Sequence, residues 1–202
     1  RSLASYSSIP LERLAHAVGT RHAPTIVDLR SDDDFSADPL LIPGSTRRSA
    51  LTVGDWGKGF ADRPVVVVCR DGGKVSQAVA ARLRHDGVDA MSLAGGVEAW
   101  QADRRLMTRA AAIPPPGPQG CTVWVTRERP KIDRIACPWL IRRFVDPDAV
   151  FLFVEPSEVA AIAKPFNATP FDVEGVFWSH RGETCTFDTM LTEFGLKSEA
   201  LD

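Results

Sequence analysis

The stretch Val65-Val66-Val67-Val68-Cys69-Arg70-Asp71-Gly72-Gly73-Lys74-Val75-Ser76-Gln77-Ala78-Val79-Ala80-Ala81-Arg82-Leu83 decides the fold of the first half of this chain. Four consecutive valines predict a strand buried on both faces. Gly72 and Gly73 mark a turn, and Val79, Ala80 and Leu83 then recur at helical spacing up to the stop at Gly87. A cysteine at the mouth of such a strand–turn–helix unit sits in a cradle of backbone N–H groups at the positive end of a helix. That setting stabilises a thiolate and holds anions. Cys69 is therefore expected to be a nucleophile beside an oxyanion site.

Working outward, Leu11, Leu14, Ala15 and Val18 share one helical face, with Gly19 as the stop. Thr25-Ile26-Val27-Asp28-Leu29 predicts a short buried strand, and the polar run Ser31-Asp32-Asp33-Asp34 follows it. Ile42-Pro43-Gly44-Ser45 predicts a turn into a poorly patterned connection. Val88–Leu93 alternates weakly, and Gly95-Gly96 precedes a short helix through Trp100. Strands alternating with helices predict an α/β domain with a central parallel sheet flanked by helices.

Ala111-Ala112-Ile113-Pro114-Pro115-Pro116-Gly117-Pro118-Gln119-Gly120 predicts an extended spacer. The expected organisation is a domain over 1–110, a linker over 111–120 and a second, smaller α/β domain over 121–202. In that domain Thr122–Thr126 and Val150–Val154 predict strands, and Val176-Phe177-Trp178 a third. Ile132, Ile135, Ala136, Trp139 and Leu140 predict a helix reaching Phe144, which Pro138 should kink or delay. Thr186 is expected to cap a last helix ending at Gly195. This half is expected to bury little.

The chain has 202 residues and a net charge of −2, so any basic surface must be local, and nucleic acid is disfavoured as a partner. No apolar run approaches a membrane span, and Arg1–Tyr6 lacks the apolar core of a signal peptide. The four cysteines, Cys69, Cys121, Cys137 and Cys185, have no framework spacing, so reduced thiols in a cytoplasmic protein are expected.

In order, Val27-Asp28-Leu29-Arg30, Ile42-Pro43-Gly44-Ser45, the Cys69 loop and Gly95-Gly96-Val97-Glu98-Ala99-Trp100 resemble the rhodanese-like domain over about residues 10 to 102. The resemblance implies sulfur transfer without a cofactor. Cys69 would take the outer sulfur of thiosulfate or a similar donor and pass it from a persulfide to a thiophilic acceptor. Arg70, Asp71, Gly72, Gly73, Lys74 and Val75 would form the substrate loop, with Asp28 and Arg30 as an ion pair beneath it. Leu41, Lys74 and Val75 depart from many active members. The related phosphatase and arsenate-reductase reading lacks its Arg after the loop.

Trp124-Val125-Thr126-Arg127-Glu128-Arg129-Pro130-Lys131-Ile132-Asp133-Arg134 and its continuation to Phe144, together with Phe171-Asp172-Val173 and His180–Asp188, resemble the C-terminal domain of chromate-resistance proteins, the chromate-sensing regulators. That family domain normally continues with further helices, so this sequence is expected to stop partway through it. Arg127, Arg129, Arg134 and Arg143 are candidates for holding a tetrahedral oxyanion such as chromate or sulfate. Cys137, His180, Cys185, Asp133 and Asp188 are ligand-type residues, but no pair has the spacing that names a metal. Sulfur transfer through Cys69, linked to chromate resistance, is the leading expectation. A non-catalytic oxyanion sensor and thiol-dependent chromate reduction are the alternatives.

Overall fold

Val65–Val68 forms the centre of a five-stranded sheet, and all four valines are fully buried in the computed structural model, which describes residues 7–129 and 131–196. The sheet comprises β1 (Ser8–Ile9), β2 (Thr25–Asp28), β3 (Ser45–Arg47), β4 (Val65–Val68) and β5 (Ala90–Leu93), ordered β1-β5-β4-β2-β3. All its pairings are parallel. Burying each valine contributes roughly 1.5–3 kcal/mol. Strand alternation sends Val66 and Val68 into one core with Leu14, Ile26, Leu93 and Trp100. Val65 and Val67 enter the other with Val27, Val79 and Leu83.

Helices α1 (Leu11–Ala17), α2 (Asp32–Ala37), α3 (Lys74–His85) and α4 (Gly96–Ala102) connect these strands. The acidic run at 32–34 is the first turn of α2. Ser31 caps it by accepting the Asp34 N–H, and three aspartates suit the positive helix end. The unpatterned connection folds into short helical turns over 50–60, whose Val53, Trp56 and Phe60 cover the second core. The reading of Arg1–Tyr6 lies outside the described residues.

The chain divides into two units, Arg1–Met107 and Thr108–Asp202, so the proline run stands at the start of the second. There β6 (Val123–Arg127) lies between β7 (Val150–Val154) and β8 (Thr169–Pro170), again all parallel. Three helices accompany them, α5 (Ile132–Phe144), α6 (Val159–Ala163) and α7 (Thr186–Phe194). Among the described residues no helix is long and apolar enough to cross a membrane.

Four expectations are corrected here. The third strand is Thr169–Pro170, whereas Trp178 makes only an isolated bridge to Phe171. Trp178 is buried by its ring, stacked 4.7 Å from Phe194 and edge-on 5.7 Å from Trp124. Helix α5 starts at Ile132 and not near Pro138, which lies inside it, since burial of Cys137, Leu140, Ile141 and Phe144 outweighs a penalty of ~3 kcal/mol. Cys185, not Thr186, is the N-cap of α7. The second unit also has a real core, with Trp124, Phe171 and Phe194 fully buried.

One backbone contact positions the Cys69 loop. The first N–H groups of α4, Val97 and Glu98, donate to Cys69 O at 3.0 Å and Arg70 O at 2.9 Å. Gly72 and Gly96 sit at φ +70° and +60° where the segments touch. A Cβ at Gly96 would meet Cys69 O and Gly72 N at 2.4 Å. Gly96→Ala is therefore expected to destabilise the first unit by roughly 2–4 kcal/mol. Gly59→Ala, with nothing within 4 Å, should stay within about 0.5 kcal/mol in the same urea titration.

Candidate active site

Cys69 follows β4 directly and lines a cleft of about 680 Å³. With the peptide bonds of the described residues all trans, turning Cys69 O and Arg70 O onto α4 points the Arg70 and Asp71 N–H groups the other way. Ser76 Oγ lies 3.1 Å from Cys69 Sγ, where the thiol donates to it, and Ser76 is fully buried in the first turn of α3. The Ser76 hydroxyl itself donates to Gly73 O at 3.2 Å. By rotating, it can donate to an anionic sulfur instead.

Asp71 turns inward. Its Oδ1 accepts the Gly73 N–H at 2.9 Å and lies 3.5 Å from Cys69 Sγ. The Gly73 N–H, and after it the Cys69 thiol, hold the Asp71 carboxyl below the ordinary carboxylate range. The contact is therefore intact above that range and is lost only in stronger acid. Arg70 lines the same cleft and bridges Asp34 at 3.1 Å and Glu98 at 3.4 Å. Gly72 and Gly73 carry the curled backbone. Lys74 is the exposed first residue of α3, and Val75 lines the cleft half exposed.

Beneath the loop, Arg30 Nη2 donates to Asp28 Oδ2 at 2.6 Å and its Nε to the same oxygen at 2.9 Å. Both residues are buried, and the guanidinium also ties down Asp38 O and Leu40 O. The pair braces the cleft wall through those two carbonyls. Sequence reasoning did not single out Ser76, Arg47, Arg48 or Leu51, the last three of which line the cleft. The position of Ser76 in the first turn of a helix opening at Lys74 was the one readable signal among them.

In the second unit the predicted cations separate. Arg134 is buried, with Nε on Asp172 Oδ2 at 2.8 Å and Nη1 on Glu128 O and Arg129 O. Arg127 Nη2 donates to Asp172 O at 2.9 Å. Arg129 joins through its carbonyl, whereas Arg143 stands in the last turn of α5. His180 Nε2 lies 3.4 Å from Asp133 Oδ2 and 3.3 Å from Asp172 Oδ1. Cys137 is fully buried one turn after Asp133, and that burial pushes its thiol above the ordinary value. Cys185 accepts the Asp188 N–H at the start of α7 while Asp188 accepts the Cys185 N–H. Asp172 was quoted in sequence only as part of a segment, and nothing in its spacing marked it.

The rhodanese-like domain model matches residues 11–103, and the model of the ChrB C-terminal domain matches residues 124–202. The chain thus carries a rhodanese-like domain followed by a ChrB C-terminal domain. It is 41% identical over 76 residues to Protein ChrB of Cupriavidus metallidurans, covering 38% of this chain and 22% of that protein. Among solved structures, the rhodanese-like domain protein from Staphylococcus aureus is 27% identical, with a TM-score of 0.42 over 46% of this chain and 90% of that one. A rhodanese-related protein from Thermoplasma volcanium is 21% identical, with a TM-score of 0.44 over 50% and 97% of the two chains.

Asp71→Asn keeps an acceptor for Gly73 N–H while removing a negative charge 3.5 Å from the sulfur. It should speed alkylation of Cys69 by iodoacetamide at neutral pH by roughly threefold or more. An unchanged or slower rate would show that the carboxylate does not oppose the reacting thiolate.

Proposed function

We propose that the first domain is a sulfurtransferase working through Cys69, and that the chain serves in chromate resistance. The carrying observation is that Cys69 lines an open cleft at the end of a buried strand, with Ser76 Oγ 3.1 Å from its Sγ. The rhodanese-like family membership supports the same reading.

In the proposed cycle the Cys69 thiolate attacks the sulfane sulfur of thiosulfate. A new S–S bond forms, the donor's S–S bond breaks, and sulfite leaves with the electron pair. The terminal sulfur of the persulfide carries the charge, facing the Arg70 and Asp71 N–H groups and the Ser76 hydroxyl. A thiophilic acceptor then attacks that outer sulfur and Cys69 leaves as thiolate. No outside oxidant, reductant or cofactor enters.

Asp71 sets a negative charge beside the sulfur, while Arg30, Arg47, Arg48 and Arg70 line the cleft and favour an anionic donor. The donor is thus a small anion or a persulfide. With thiosulfate and cyanide, the chain should form thiocyanate. Cys69→Ser should lower that rate at least a thousandfold, while Cys121→Ser leaves it within about twofold. Equal losses in both variants would refute the assignment.

A further inference from the structure

In the second domain, two buried carboxylates and one exposed imidazole meet at a point. Asp133 comes from the first turn of α5, Asp172 from the segment after β8, and His180 from the loop before α7. One ligand atom from each lies within 4.8 Å of the other two. We propose that Asp133, Asp172 and His180 bind a divalent first-row transition-metal ion.

The first argument is a proton count. His180 Nε2 faces Asp133 Oδ2 at 3.4 Å and Asp172 Oδ1 at 3.3 Å, yet a ring nitrogen has one N–H to give. One of the two imidazole–carboxylate contacts is thus left without a proton, although both oxygens also accept from Thr186. A cation at the centre satisfies all three Lewis bases at once. The second argument is burial. Asp133 is 9% and Asp172 4% exposed, so these are not solvated surface acids, while His180 leaves the point open to solvent.

The supports are those of a held ligand set. Asp172 keeps φ +51°, rare for a residue with a side chain. Its Oδ2 is fixed by Arg134 and its Oδ1 by the Thr186 hydroxyl at 3.0 Å. Asp133 Oδ2 accepts the Thr186 N–H at 3.3 Å, at the positive end of α7. Such partners orient ligating carboxylates. Arg134 and Arg127 both stand on the Oδ2 and main-chain side of Asp172, leaving Oδ1 aimed at His180. One nitrogen and two carboxylate oxygens suit Mn²⁺, Fe²⁺, Co²⁺ or Zn²⁺ better than Mg²⁺ or Ca²⁺. Three protein ligands leave positions open to exchangeable groups, unlike a closed structural site.

Co²⁺ is a suitable probe. The full chain, freed of metal by a chelator, should take up one Co²⁺ saturably by calorimetry, with visible absorption bands and a raised melting temperature. His180→Ala, at an exposed position, should weaken binding at least tenfold, and Asp133→Asn should do the same. Cys69→Ser should bind like the parent chain. Absence of saturable uptake would overturn the proposal, as would affinity unchanged in folded His180→Ala and Asp133→Asn, or affinity lost in Cys69→Ser.

Discussion

The interlock between the Cys69 loop and the start of α4 is the constraint on which the first domain's chemistry depends. Gly72 and Gly96 approach until neither tolerates a Cβ, and the α4 N–H groups take the Cys69 and Arg70 carbonyls. Those two bonds do more than close a turn. They spend the loop's acceptors on α4 and so turn its donors away from that helix. Buried valines on one side and a helix N-terminus on the other hold that arrangement in place before any substrate arrives.

Around this fixed backbone the charges are arranged sparingly. Arg30 is committed to Asp28 and to two carbonyls, and Arg70 to two acids on neighbouring helices. Removing one member of the buried Arg30–Asp28 pair would strand the other at a cost of about 3–5 kcal/mol, which makes the pair a brace for the cleft wall. The sulfur meets a hydroxyl and one opposing carboxylate. The second domain uses its cations in the same way, since Arg134 organises Asp172 and two carbonyls. Clusters of arginine in the sequence were thus scaffolding in part, because a buried guanidinium gathers carbonyls and carboxylates to itself before any ligand.

What could be read from the sequence followed the reach of each signal. The four valines, Cys69 and the glycines after it are local and periodic, so strand, loop and helix were legible there. Val27–Arg30 was legible for the same reason. Asp71's orientation was not, because a one-residue change of turn geometry decides whether its carboxylate faces the sulfur. Arg70's partner Asp34 lies 36 positions away and carries no local mark. Pro138 misled because its rule is local, whereas the apolar face of α5 is decided by tertiary burial. Trp178 misled because burial of a ring resembles burial of a strand. Asp133 and His180 were visible as residue types, but their meeting with Asp172 is a product of the fold.

The central claim is that Cys69 carries sulfur. The direct measurement is the mass of the intact chain and of its Cys69 peptide after incubation with thiosulfate, then after cyanide. The account predicts a gain of one sulfur atom on the Cys69 peptide that cyanide removes. No gain, or a gain carried by Cys185 instead, would contradict it.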